Sequence, residues 1–218
     1  MATLGSIEKP SVEEYLRRRK LYLIPLVYSA REDPDGYKKL IEKYWQQAQD
    51  HIRSLSSRLG KVSKVYHEAV ALAGEGGMKL LEALNPHSLK LAQEAGQQGA
   101  SLEALEDQDW LTEVMDWERC LMIGLLSPKA LNLVSSQYQE ATKRRYEAIA
   151  KRIDDSLGPE EAGLLFISEN HQVQFPTDIQ VFYVAPPALD EIHRWVRDRR
   201  RQEKPAGPPE EESAQKTD

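Results

Sequence analysis

Two short segments carry the residue types that most often take part in chemistry. His67 and Glu68 end one predicted strand, and Glu169 and His171 follow another. Two imidazoles and two carboxylates can hold a divalent metal ion or act as general acid and base. If the two strand ends meet in one crevice, these four side chains indicate a small metal-dependent hydrolase. The spacing does not force that convergence, so ordinary polar loops are the alternative interpretation.

A glycine cluster, Gly74-Glu75-Gly76-Gly77, follows a predicted strand and precedes a predicted helix. Backbone N–H groups at the start of a helix can bind phosphate. The cluster contains neither GxGxxG nor Gly-Lys-Ser/Thr, so neither nucleotide-binding fingerprint is met. The sequence also has no HExxH or GxSxG motif. A plain loop and helix start is the favoured interpretation, and we expect no cofactor.

Two basic clusters are the candidate phosphate- or RNA-binding residues. They are Arg17, Arg18, Arg19 and Lys20 near one end of the chain and Arg194, Arg197 and Arg201 near the other. The second group recurs at helical spacing, so its guanidinium groups can face one phosphate-bearing partner together. The alternative is a solvated helix face that balances the surrounding acidic residues.

Composition narrows the classes of partner. The chain has 218 residues, 40% of them hydrophobic, and a formal net charge of −6. That charge argues against a protein that coats nucleic acid with its whole surface, and we expect no DNA partner, but it allows a local basic patch. The longest apolar run, residues 21–28, is interrupted by Pro25 and too short to span a bilayer. We therefore expect a cytoplasmic protein without a membrane partner, and the lone Cys120 excludes an internal disulfide framework.

The periodicity predicts a mixed α/β fold. The expected architecture is a mixed sheet of about five strands with flanking helices, a central helical insertion, and a C-terminal hairpin followed by a helix. The predicted strands are residues 21–28, 61–68, 163–168, 171–175 and 179–184. The run 163–168 (GLLFIS) is apolar on both faces, which is typical of a central strand. The next two runs flank Pro176-Thr177-Asp178 and predict the hairpin.

Helix boundary signals complete the organisation. Asp33 is the expected N-cap of a helix that stops at Gly60, and a long helix should follow Ser127. The apolar residues between 110 and 125 predict a buried helix before it. We expect a loose segment 1–10, a single α/β domain 11–202 and a disordered tail 203–218.

One passage resembles a known family. Residues 153–157, then 158–162, then 163–169 (IDDSL, GPEEA, GLLFISE) resemble the helix-to-strand passage in the third domain of archaeo-eukaryotic release factors and their Pelota relatives. There, a helix ends at a corner of small residues and leads into an apolar strand that closes with Ser-Glu. The family's GGQ tripeptide, which is directed at peptidyl-tRNA, is absent. The resemblance covers about twenty residues and implies a non-hydrolytic ribosome- or protein-binding module.

These observations predict a non-catalytic binding or adaptor protein associated with ribosomes or RNA. The expected partner is a protein or a ribosome/RNA species. The alternative is the metal-dependent hydrolase that would use the His/Glu cluster. The sequence does not set the oligomeric state.

Overall fold

The computed structural model describes residues 17–203 of the chain. Its strands are β1 (Arg19–Pro25), β2 (Val62–His67), β3 (Ser101–Leu102), β4 (Ala162–Ile167) and β5 (Ile179–Tyr183). Its helices are α1 (Asp35–Leu59), α2 (Gly74–Leu84), α3 (Pro86–Gln97), α4 (Gln108–Met122), α5 (Pro128–Ser156) and α6 (Pro187–Glu203). The predicted loose segment 1–10 and residues 204–218 of the predicted tail 203–218 lie outside the described residues.

The five strands form one sheet in the order β3-β2-β4-β1-β5. Every pairing is parallel, with Leu23 opposite Leu165 between β1 and β4, and Tyr66 opposite Leu165 between β2 and β4. Parallel strands need long crossover connections, and helices supply them at three of the four links between consecutive strands. The predicted α/β class is therefore confirmed.

Strand β4 is the centre of the sheet, as its apolar sequence predicts. All six of its residues are buried. Phe166 is fully buried and lies against the rings of Trp45 and His67, with centroids 6.1 and 5.6 Å away. A strand buried on both faces reads as a continuous apolar run because helices cover both sides of a parallel sheet.

Two separate cores lie on the two faces of the sheet. Alternate residues of each strand point to opposite faces, so Phe166 belongs to one core and Leu165 to the other. Residues of α1, α2, α3 and α6 cover the first face. The second face is covered by the last part of α5, through Ile149 and Ile153, and by Val173 in the β4–β5 connection.

The predicted C-terminal hairpin is wrong. Residues 171–175 form no strand, and β5 pairs parallel to β1 rather than antiparallel to a neighbour. The alternation in this segment has another cause, since Val173 is buried and Phe175 is partly buried against the second core. An extended segment that packs on a core shows the same period as a strand without pairing.

The start of α1 also differs from the prediction. The helix begins at Asp35, after Pro34, and no side chain caps it. Asp33 Oδ2 instead accepts a hydrogen bond from the backbone N–H of Ala30 at 2.6 Å, which closes the preceding turn. The predicted stop at Gly60 is confirmed, since this residue has a φ of 133°. Ser127 caps α5 as expected, with Oγ accepting from the N–H of Ala130 at 3.4 Å.

Helix α4 is not buried, contrary to the prediction. Val114 is its one buried residue. The helix packs against α5, where Arg144 pairs with Glu113 at 2.8 Å. Before Ala141, α5 contributes no buried residue, so this antiparallel pair stands apart from the two cores. We call residues 108–144 the arm.

Within residues 17–203, no helix combines the length and the apolar content that crossing a bilayer requires.

Candidate functional site

The two segments with catalytic residue types lie at the same edge of the sheet. Strands β2 and β4 are adjacent and parallel, so both end at the carboxyl edge. Glu68 follows β2, and its Oε2 accepts a hydrogen bond from the backbone N–H of Ser168, which follows β4, at 2.6 Å. Ligands of open α/β sheets bind in the crevice outside this edge. The carboxyl edge of the sheet is therefore the candidate functional site.

The Glu68 carboxylate belongs to a buried charge network. Arg145 of α5 donates from Nη2 to Glu68 Oε1 at 3.0 Å, and from Nε to both carboxylate oxygens of Glu106 at 3.1 and 3.0 Å. Arg145 and Glu106 are buried. Burial lowers the pKa of Arg145, but hydrogen bonds and charge from Glu106 and Glu68 outweigh it, and the net pKa is raised. The network ties α5 to the ends of β2, β3 and β4.

Sequence reasoning missed Arg145. It stands in the basic run Lys143-Arg144-Arg145, whose composition is typical of a solvated helix face, yet it occupies a buried position of α5. The signal was its spacing, because Ala141, Arg145, Ile149 and Ile153 recur every four residues and are all buried. A charged residue at a core position of a helix calls for a buried partner of opposite charge.

His67 points away from this network. Its ring is fully buried, Nδ1 meets the backbone carbonyl oxygen of Glu68, and Nε2 lies 3.0 Å from Ser88 Oγ. A carbonyl can only accept, so Nδ1 carries the proton of the neutral ring. The Ser88 hydroxyl lies between two acceptors, His67 Nε2 and the carbonyl oxygen of Asn85, each 3.0 Å away. Burial lowers the pKa of His67 to about 4. His67 is therefore a neutral side chain that joins β2 to α3.

Glu169 belongs to a third group, on the β5 side. It accepts a hydrogen bond from the Tyr183 hydroxyl at 3.1 Å and pairs with His193 Nε2 of α6 at 2.8 Å. Burial and the nearby Glu169 charge raise the pKa of Tyr183 to about 12, so the phenol stays protonated and donates. These contacts fasten α6 to the end of β4.

His171 lies in the crevice between α5 and the β4–β5 connection. Its Nδ1 accepts from the N–H of Val173 at 3.3 Å, and Tyr146 lines the same crevice. Burial lowers the pKa of His171. The four predicted metal ligands thus share one edge but belong to separate groups. In the described part of the chain, no three His, Cys, Asp or Glu side chains are placed to hold a metal ion.

The glycine cluster packs closely against its surroundings. A Cβ on Gly77 would lie 2.2 Å from the carbonyl oxygen of Leu72 and 2.7 Å from Leu102 Cδ2. Gly74 has a φ of 56°, a backbone conformation that is unfavourable for residues with a side chain. Gly77 therefore has a packing reason where α2 meets β3, and Gly74 has a conformational one.

The first basic cluster is largely engaged inside the fold. Arg19 pairs with Asp154 and Asp178 at 2.7 Å each and also donates to two backbone carbonyls. Lys20 is buried, with Nζ donating to the carbonyl of Arg18 at 2.9 Å. Arg17 is exposed and Arg18 half-buried. Arg19 and Lys20 thus hold β1 to its neighbours, and neither side chain reaches freely into solvent.

The second basic cluster is exposed on α6. Arg194, Arg197 and Arg201 are all solvent-exposed. Because a helix turns once every 3.6 residues, Arg197 and Arg201 lie on the same side as His193, which meets Glu169 at the carboxyl edge.

The opposite side of α6 faces α1. Trp195 packs on Tyr37 with ring centroids 4.4 Å apart, and Glu191 pairs with Lys43 at 2.7 Å. These contacts use the apolar stripe and one flank of α6, and they leave the basic side open.

Searches against protein-family models, curated proteins and solved structures find no match to this chain. They neither support nor contradict the resemblance to the third domain of release factors, which stays a prediction.

Proposed function

We propose that this protein is a non-catalytic binding protein that holds RNA against the basic side of α6. One observation carries the proposal. Arg194, Arg197 and Arg201 are exposed, and within residues 17–203 no carboxylate lies within ion-pair distance of any of the three. Their charge is available to a partner.

The chemistry of the side chain favours phosphate. Guanidinium binds phosphate oxygens through paired N–H groups. Arg200 adds a further exposed cation close to Arg197 and Arg201 on the helix surface. Among the acidic residues of α6, Glu191 is paired with Lys43 on the other side. Asp190 and Asp198 are exposed near the arginines, and within the described residues neither forms an ion pair with Arg194, Arg197 or Arg201. A protein of net charge −6 can in this way present a local basic surface.

The carboxyl edge supports a binding role without catalysis. Its three carboxylates are engaged in structural contacts: Arg145 holds Glu68 and Glu106, and His193 and Tyr183 hold Glu169. A general base or metal ligand needs an open coordination or proton-transfer position, and these side chains use theirs to join helices to strands.

The test is the affinity of the full chain for a fluorescently labelled single-stranded RNA, measured by anisotropy over a salt series. The variant Arg194→Gln, Arg197→Gln, Arg201→Gln should bind at least about ten times more weakly, and its log-affinity slope against log salt should fall by about 2, as expected for three lost phosphate contacts on a single strand.

The matched control removes the same charge elsewhere. Lys79, Lys90 and Arg152 are exposed cations on other helices, and their replacement by Gln should leave the affinity within about twofold, since distant charges are screened by salt. Absence of RNA binding at about 50 mM salt, or an equal loss in both triple variants, would overturn the proposal.

A further inference from the structure

The arm extends well beyond the sheet. Arg145 marks its base, because that residue contacts Glu68 and Glu106 at the carboxyl edge. Residues 128–144 of α5 continue past this point, which corresponds to about 25 Å at about 1.5 Å per residue. The arm is therefore a two-helix projection whose far end has no cover from the rest of the described chain.

Large apolar side chains crowd that far end. We call residues 122–133 the arm tip. Its exposed apolar residues, with their exposed fractions, are Met122 (79%), Ile123 (75%), Leu126 (99%), Leu131 (41%) and Leu133 (63%). Elsewhere in the described chain, exposed large apolar side chains are more scattered. Single exposed apolar residues need no explanation, but five of them within twelve residues at one helix–helix turn indicate an interaction site.

The low density of charged residues around the arm tip indicates that this surface is covered by a partner. Residues 121–139 contain one charged side chain, Lys129, although 29% of the whole chain is charged. A helix end kept in water would carry charges at the usual density. Glu118, which precedes the tip, and Lys129, which lies within it, are exposed and have no ion-pair partner within residues 17–203. One acidic and one basic group thus flank the same apolar surface.

The size of the patch fits one half of a dimer interface. Five side chains at these exposures present on the order of 600 Å², which is at or above the largest apolar patch of an ordinary monomer, about 300–600 Å². A standard interface buries about 800 Å² on each partner. The apolar tip and its polar border together reach that size.

We propose that the arm tip binds the arm tip of a second copy of this chain. An apolar patch flanked by one positive and one negative group is complementary to itself under two-fold symmetry, since Glu118 of one protomer can meet Lys129 of its partner. The two arms then form four packed helices, an arrangement that buries apolar faces from both chains. A membrane is a poorer match, because surface-bound helices carry an excess of lysine and arginine beside their apolar face. Here Asp116 and Glu118 balance Arg119 and Lys129.

The oligomeric state of the full chain tests the proposal. Sedimentation equilibrium over the micromolar range should show a monomer–dimer equilibrium for the wild-type chain. Leu126→Glu should shift it to monomer by at least tenfold in the dissociation constant. Leu126 is 99% exposed, so its replacement costs the folded protomer nothing. The control Leu72→Glu changes another exposed leucine, 53% exposed, far from the tip in sequence, and should dimerise as the wild type does.

A second measurement locates the interface. In a Cys120→Ser background, the thiol of Leu126→Cys should react with a maleimide at least ten times more slowly at dimer-forming concentrations than at dilution, whereas that of Leu72→Cys should react equally at both. A monomer at every concentration overturns the proposal, and so does a dimer that Leu126→Glu leaves intact. Binding of a monomeric chain to phosphatidylcholine vesicles, lost in Leu126→Glu, would overturn it in favour of a membrane.

Discussion

Arg145 and Glu106 face each other in the interior, with Nε of the guanidinium donating to both carboxylate oxygens at 3.1 and 3.0 Å. Glu106 also accepts from the backbone N–H of Ala69 at 3.2 Å. Ala69 has a positive φ of 67°, an unusual conformation for a residue with a side chain. The pair thus fixes the base of the arm and the turn after β2 together.

Arg145→Met should destabilise the protein by about 3–5 kcal/mol, because it leaves the Glu106 carboxylate buried without its partner. The neighbouring Arg144→Met breaks an exposed pair with Glu113 and should cost less than about 1 kcal/mol. Urea unfolding followed by circular dichroism measures both. Similar midpoints for the two variants would mean that water reaches the Arg145 network.

The buried His67 should make stability depend on pH. Burial holds its folded-state pKa at about 4, against an ordinary value of 6.5. Between these values the unfolded chain binds more protons than the folded one, so the free energy of unfolding falls as pH drops from about 6.5 to about 4. The contribution is on the order of 3 kcal/mol.

Urea unfolding of the wild type and of His67→Gln across that pH range checks this expectation. The variant should lose most of the pH dependence of its free energy of unfolding. A small part should remain because burial also lowers the pKa values of His87 and His171. The exposed His51 supplies the control, and His51→Gln should keep the full slope. An unchanged slope in His67→Gln would show that the ring is hydrated.

Gly76 and Gly77 should respond in opposite directions to the same substitution. Gly77→Ala places a methyl group 2.2 Å from the carbonyl oxygen of Leu72, so α2 has to shift and stability should fall by about 1–3 kcal/mol. At Gly76 the nearest atom is 3.4 Å away, and alanine should be neutral or stabilise by up to about 1 kcal/mol through its helix propensity. Thermal melts of the two variants distinguish two explanations for the glycines. Close packing predicts a loss of stability at Gly77 alone, whereas a requirement for a flexible loop predicts a loss of stability at both positions.

Phe166→Ala should remove about 3–5 kcal/mol, because it empties a fully buried site in the central strand. An ordinary domain has about 5–15 kcal/mol in total, so weak expression or a broad melting transition is expected. Val181→Ala changes β5 at a position that is 41% exposed and should cost less than about 1 kcal/mol. Equal losses in circular dichroism melts would contradict the central placement of β4.

The correct sequence predictions share a physical cause. Strand β4 and helix α5 were identifiable because their apolar pattern and their caps agree with the tertiary structure around them. The predictions of a strand at residues 171–175 and of a buried helix at α4 are wrong. A periodic apolar pattern indicates that one face of a segment packs against other residues, but it does not indicate which residues these are. Val173 is covered by the second core without strand pairing, and α4 packs against α5.

The site was partly predictable for the same reason. Strands β2 and β4 are adjacent and parallel. It follows that His67-Glu68 and Glu169-His171 lie at the ends of neighbouring strands. Which way each side chain turns depends on partners far away in the sequence, such as Ser88 for His67 and Arg145 for Glu68. Local spacing carries no information about those partners.

The sheet order has a consequence for synthesis of the chain. Strand β1 is made first, yet both of its partners, β4 and β5, are made last, and Lys20 is paired with Ala162 about 140 residues later. Until then the apolar strand Arg19–Pro25 has no edge to join, and contacts of such sequence separation form slowly. A nascent chain that lacks the C-terminal strands therefore exposes β1 on both edges, which makes this segment the expected binding site for a chaperone on the ribosome.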